Sequence, residues 1–221
     1  MNIDWAVLQP IFWQSLWETL QMVVVTLVVG GFFGLVIGVL LYTTRGGGIL
    51  ANRWVYTVLN VLVNFVRPIP FIIFIVAIGP LTLGVIGTTI GTKAAIFALI
   101  IAASFGISRI VEQNLVAVDP GVVEAAQAMG AGPLRIITRV LLPEALGPLI
   151  LGYTFVFIAV VDMTAVAGSV GGGGLGNFAI VYGYQRFNWV VTWIAVAAII
   201  VLVQAAQFFG NWLAAKALNR R

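Results

Sequence analysis

Histidine and cysteine, which carry much of enzyme chemistry, are both absent from these 221 residues. Serine–histidine and cysteine–histidine nucleophiles are thereby excluded, along with disulfides and Cys/His metal sites. Carboxylate chemistry is the next possibility. An intramembrane aspartyl protease needs two facing carboxylates, and Asp162 reads as the only acidic residue within an apolar span. Phosphate chemistry would come from glycine. Gly171-Gly172-Gly173-Gly174-Leu175-Gly176 formally contains G-x-G-x-x-G. A dinucleotide site needs a strand before that pattern, a helix after it and a later acidic residue. Here a long apolar stretch precedes it, no suitable acid follows, and no Gly-Lys-Ser/Thr occurs. A flexible turn is the better reading, because glycine permits backbone rearrangement. No cofactor or metal site is expected in this chain.

Two residue sets are left with a task. The first is Asp162 with Met163. An aspartate at a helix centre costs roughly 2.5–3.5 kcal/mol on the insertion scale. Such a residue usually faces a bundle interior or an aqueous cavity. Asp162 and Met163 are therefore candidates for lining a translocation path near an outer gate, with Arg67 beside it. The alternative is a structural pairing of Asp162 with Arg67. The second set is Glu124-Ala125-Ala126-Gln127-Ala128-Met129-Gly130, nine further residues, then Val140-Leu141-Leu142-Pro143. It is polar and lies between two long apolar stretches.

The elements that must position these sets are membrane helices. Hydrophobic residues make up 62% of the chain and charged residues 8%, against about a quarter charged in a soluble domain. Mean hydropathy is +1.12. The net charge of +4 comes from scattered basic residues that flank apolar stretches, which argues against nucleic acid. The first basic residue is Arg45 and the early charges are Asp4 and Glu18, so no cleavable signal peptide is expected.

A helix needs roughly 20 apolar residues to cross the hydrocarbon. Five stretches qualify, at about residues 16–43, 54–79, 94–118, 145–168 and 189–213. Pro68 and Pro70 should break or kink the second. Each should be helical, because lipid cannot satisfy an open strand. With the N-terminus outside, eight of the 11 basic residues fall on the inner side, and only Arg67, Lys93 and Arg186 fall outside. That asymmetry predicts N-out and C-in. Small residues recur at four-residue spacing in two rows: Gly30, Gly34 and Gly38, and Ala94, Ala98, Ala102 and Gly106. Such rows let helices approach closely, either within one bundle or between subunits. Five helices enclose little, so a symmetric dimer is expected. Residues 1–221 read as a single transmembrane domain without an internal repeat.

In the polar segment, Asp119-Pro120 is a helix start and Gly130 a terminator. A short helix over residues 120–129 follows, with an apolar face of Val122, Ala126 and Met129. Glu124 lies near its positive end. Pro133 and Pro143 frame a second short helix that carries Arg135 and Arg139 one turn apart. Ala125 and Ala126 offer a thin surface that could enter a groove on another protein; an amphipathic helix lying on the membrane is the other option.

Glu124-Ala125-Ala126, three residues, Gly130, nine residues, Val140, one residue, then Leu142-Pro143 resembles the EAA motif of ABC importer permeases, the binding-protein-dependent inner-membrane components. Val140 stands where that family usually has isoleucine. The likeness covers nearly the whole chain and is strongest to the methionine-importer branch. Further residues carry it: Trp17-Glu18-Thr19-Leu20, Gly38–Tyr42, Asn64, Arg67, Pro70 with Phe71–Ile73, Gly87–Gly91, Arg109 with Val111-Glu112, Leu141–Leu146, Gly171–Gly176 and Tyr182–Tyr184. The departure is Asp162–Val166, where that branch carries uncharged residues.

The resemblance implies an all-α membrane protein of the type I importer permease fold: five transmembrane helices, N-out and C-in, two copies forming a homodimer in the bacterial plasma membrane. It implies that residues 119–143 are the cytoplasmic coupling segment. Glu124, Ala125, Ala126, Met129, Gly130, Leu142 and Pro143 would then couple the chain to separate cytoplasmic ATPase subunits, which bind the ATP and magnesium. A substrate-binding protein or lipoprotein outside the membrane would deliver methionine or a similar amino acid. The chain would be non-catalytic. Alternatives are a permease for another small solute (a quaternary amine or a phosphonate), or a stand-alone channel or membrane scaffold.

Overall fold

The computed structural model describes residues 5–218, and every regular element among them is helical. Four helices are long and apolar enough to cross a membrane: Trp5–Thr44, Thr92–Val116, Leu146–Ser169 and Trp189–Leu218. A fifth crossing exists if the broken pair Arg53–Val66 and Phe71–Ala77 acts as one. The pair breaks around Pro68 and Pro70, as neither proline has an N–H to offer the helix ladder; Arg67, just before Pro68, is still helical. Asn52 starts this pair: its Oδ1 accepts from the Trp54 and Val55 N–H groups at 3.1 and 3.2 Å. A further short helix, Gly79–Ile86, follows.

The first helix is already formed at Trp5, well before the apolar run that begins near Leu16. Gln9, Pro10 and Gln14 dilute hydropathy there without ending the helix. A five-residue π turn, Thr26–Gly30, interrupts its α geometry. Glu18 on this helix and Glu112 on Thr92–Val116 correct the reading of Asp162 as the single acid on an apolar span.

The chain divides into two compact units, and each long helix contributes to both. The first unit comprises residues up to Gly30, Ile69–Ala103 and Phe157–Ala206. Met22, Ala95, Leu99 and Ala167 form its centre, with Phe71 and Met163 packed against them. A second cluster sets Leu8, Ile11 and Phe12 of the first helix against Phe178, Val191 and Ala195. Phe12 and Phe178 meet edge-on at 5.6 Å.

The glycine run in this unit is not a free turn. Gly174 N–H donates to Glu18 Oε2 at 2.7 Å, and Leu175 N–H donates to Thr19 Oγ1 at 2.8 Å. Gly91 N–H donates to the Gly171 carbonyl at 2.8 Å. A turn tied at three points is an anchored element, contrary to the flexible turn that composition suggests.

The second unit comprises Gly31–Pro68, Ser104–Val156 and the chain from Gln207 on. Here Gly34 and Gly38 lie directly on Ile107, Ser108 and Val111. These two glycines thus pack within one chain. Tyr153 donates its hydroxyl to the Gly31 carbonyl at 2.7 Å. Arg109 joins this unit's helices by a polar contact taken up below.

Candidate functional site

Residues 119–144 form a capped helix–turn–helix within the second unit. Asp119 Oδ1 accepts the Gly121 N–H at 2.8 Å and Pro120 takes the first helical position, so two of the orphan donors of Pro120–Ala128 need no other partner. The other end closes by a Schellman motif. Ala131 N–H returns to the Ala126 carbonyl at 3.0 Å and Gly130 N–H to the Gln127 carbonyl at 2.9 Å. Gly130 sits between them at φ 76°, a conformation that costs L-residues energy.

The second limb runs without interruption through Pro133–Ile136, a π turn at Ile137–Leu141, and Leu142–Glu144. Pro143 therefore does not stop this helix. The wider turn before it is the reason: Leu142 N–H bonds back to the Ile137 carbonyl, and the helix carries past a proline that has no N–H to offer.

Burial sorts the predicted coupling residues. Glu124, Ala125 and Gly130 are exposed and Met129 is 81% exposed, whereas Ala126 is 3% and Val123 8% exposed. The first limb thus packs on the second through Val123 and Ala126, three residues apart, with Ile136 and Leu141 buried on the other side. Val122, Ala126 and Met129 therefore do not form one exposed apolar face: Ala126 is nearly buried, although it lines the concavity around the turn. A small side chain at Ala126 sets how closely the limbs approach. Around the turn lies an open concavity of about 1040 Å³, lined by Met129, Gly130, Pro133, Leu134, Arg135 and Arg139 among others. Leu142 is half-buried, and exposed Pro143 lines a second concavity of about 560 Å³ with Leu146 and Lys216.

The segment holds no nucleophile with a base and no paired carboxylates. It offers exposed Met129 and Leu134 beside Arg135 and Arg139. Large apolar side chains rimmed by charge are typical of surfaces that meet another protein.

Of the path candidates, Asp162 is exposed and Met163 half-buried in the first unit. Within that unit Asp162 has no hydrogen-bond or ion-pair partner among the described residues. Arg67, in the second unit, is exposed and caps Arg53–Val66, its N–H bonded to the Val63 carbonyl at 3.1 Å.

One polar cluster escaped site prediction. Arg109 Nη1 donates to Glu112 Oε2, and its Nη2 donates to Asn60 Oδ1 at 2.8 Å and Asn64 Oδ1 at 2.7 Å. Glu112 is 7% exposed. Two same-face pairs could have pointed to it, Asn60 with Asn64 and Arg109 with Glu112, at helical spacing.

Comparison with known proteins gives consistent results. Residues 30–219 match the family described as binding-protein-dependent transport system inner membrane component. The probable D-methionine transport system permease protein MetI of Vibrio cholerae is 44% identical over 204 residues, covering 92% of this chain and 91% of that one. The methionine import system permease protein MetP of Bacillus subtilis is 41% identical over 199 residues, 90% of each. A solved chain from inward-facing conformations of the MetNI methionine ABC transporter superposes with a TM-score of 0.92 at 40% identity, covering 98% of this chain and 99% of that one. An amino acid ABC transporter solved with histidines shares the fold, with a TM-score of 0.79 at 20% identity.

Proposed function

Because this chain belongs to the family of binding-protein-dependent transport system inner membrane components, we propose that it is the permease subunit of an ATP-driven importer for methionine, D or L, or a similar amino acid. The helix–turn–helix at residues 119–144 carries this reading. It combines the EAA spacing with a capped, outward-facing tip. The names of its relatives support the cargo.

In this scheme the whole chain is one transmembrane domain with five crossings, N-out and C-in, and two copies form the pathway. Separate ATPase subunits bind ATP and magnesium on the cytoplasmic side, and the chain itself performs no chemistry. Glu124, Ala125, Met129 and Gly130 meet the ATPase, while Ala126 fixes the spacing of the limbs behind them. Leu142 and Pro143 join the second limb to the Leu146–Ser169 helix. When the ATPase pair closes on ATP, the segments move with it and the helices rock from inward-open to outward-open, in the manner of rigid-body alternating access. A binding protein outside the membrane then releases its cargo into the pathway, and hydrolysis resets the cycle. Asp162, Met163 and Arg67 lie along that path.

Asp162 admits a second reading of the cargo beside an amino acid, whose ammonium group it would equally suit. An exposed carboxylate on an apolar helix suits a solute with a cationic group, such as a quaternary amine. The complex, reconstituted in vesicles with its ATPase and binding protein, should take up labelled methionine only when ATP is present. ATP-driven uptake of a quaternary amine or a phosphonate, but not of methionine, would transfer the assignment to that solute. Flux that needs no ATP would make the chain a channel.

A further inference from the structure

In the Arg109–Glu112 pair the carboxylate is buried and the guanidinium half-buried, and such desolvated ion pairs are often no more stabilising than apolar residues of similar size. Stability alone therefore does not account for it, but its geometry has a use. Glu112 balances the charge through Nη1, leaving Nη2 to bridge Asn60 and Asn64, which lie one turn apart on Arg53–Val66. A guanidinium is a planar, rigid fork, so this contact fixes the axial register of the two helices. A slip of one turn, about 5.4 Å, would carry one asparagine into the other's place and leave the fork with one acceptor instead of two. The other contact on the same helix is different in kind. Gly34 and Gly38 pack on Ile107, Ser108 and Val111 by close approach alone, which sets distance without direction.

The fork also sits at a junction. Val116 ends the Thr92–Val116 helix just before Asp119 begins the coupling segment, about 10 Å along the helix from Arg109. On the other side, Arg53–Val66 leads into the break at residues 67–70.

We propose that Arg109 is a positioning residue that carries displacement of the Asp119–Glu144 segment into the Arg53–Val66 helix, through its fork on Asn60 and Asn64, and so to the break that begins at Arg67. This rests on the coupling reading above. Asn60 and Asn64 receive the motion, and Glu112 keeps the guanidinium aimed.

The test uses the assembled importer in vesicles and reads uptake per ATP hydrolysed. Asn60→Leu/Asn64→Leu removes both acceptors and leaves the ion pair. Arg109→Met/Glu112→Leu removes both charges together, so that no lone charge is buried. Each should assemble with the ATPase and hydrolyse ATP, yet lose roughly ten-fold in uptake per ATP. A merely structural role predicts less assembled complex with an unchanged ratio. A wild-type measurement complements the variants. The chain has no cysteine, so spin labels at Trp54→Cys and Val116→Cys, both exposed, report the separation of the two helices. That separation should be the same without nucleotide and with ATP, and should change with ATP once Asn60 and Asn64 are replaced. A separation that changes in the otherwise unaltered chain overturns the proposal, whatever the variants do. So does a wild-type ratio in Asn60→Leu/Asn64→Leu while Gly130→Asp uncouples. Normal transport by Gly130→Asp would instead bring down the coupling reading itself.

Discussion

Gly130 separates a structural from a docking role, because backbone strain and side-chain volume make opposite predictions there. Its φ is 76° and a Cβ placed on it would meet nothing within 4 Å in its own chain. Any cost inside the chain is therefore backbone strain. For alanine in the left-handed region that is about 1–2 kcal/mol. Asparagine tolerates the region better, because its short polar side chain bonds locally. The purified permease should accordingly melt in the order wild type, Gly130→Asn, Gly130→Ala, as followed by near-ultraviolet circular dichroism. Uptake should run differently. Alanine adds one methyl group, whereas asparagine projects from the exposed tip into whatever surface receives it. If an ATPase cleft does, Gly130→Asn should transport roughly ten-fold less than Gly130→Ala, equivalent to about 1.4 kcal/mol at the docking step. Labelled uptake and ATPase rate in vesicles measure this. Should transport follow the stability order, with asparagine closer to wild type, Gly130 is a helix cap and nothing more, and the docking argument fails.

Four further outcomes concern residues within single units. Gly38→Ala would place a Cβ 2.5 Å from the Ser108 carbonyl oxygen and 2.6 Å from Val111 Cβ, and should cost about 1–3 kcal/mol in thermal unfolding. Gly106→Ala, where a Cβ meets nothing within 4 Å, should be neutral or stabilising. Glu18→Ala strips the Gly174 N–H of its acceptor and should cost about 1–3 kcal/mol; the Gly174 amide should then exchange faster, while Glu18→Gln should keep it protected. Asp162→Asn and Met163→Ala should each lower uptake and its coupling to ATP hydrolysis; unchanged values in both would remove these residues from the path.

What the sequence made legible was local. Asp119, Pro120 and Gly130 act on backbone groups a few positions away, so residue type and spacing suffice to locate the segment and its turn. The proline break in the second apolar stretch is legible for the same reason. Orientation within the segment was not. Spacing groups Ala126 with Met129, but packing of one limb on the other buries Val123 and Ala126 and leaves Met129 out. Pro143 misled because its effect depends on the π turn before it, which no residue type announces. Contacts distant in sequence were out of reach: Glu18 meets Gly174 across 156 positions, and Arg109 meets Asn60 across 49. Hydropathy marked the apolar stretch from about residue 16 but not the helical turns before it, because Gln9 and Gln14 are polar by type, while Leu8, Ile11 and Phe12 there pack against Phe178 and Val191.

That early start bears on how the protein meets its bilayer. From Trp5 to Thr44 the first helix has a contour of about 60 Å at 1.5 Å per residue, twice the roughly 30 Å of hydrocarbon. Tilt and lipid stretching absorb only modest mismatch, so part of this helix must lie outside the acyl chains. Its N-terminal turns are instead held by protein, with Leu8, Ile11 and Phe12 seated on the second cluster and Trp5, Trp13 and Trp17 left exposed for the headgroup layer. The position of that end relative to the rest of its unit is therefore set by protein contacts, and not by lipid alone.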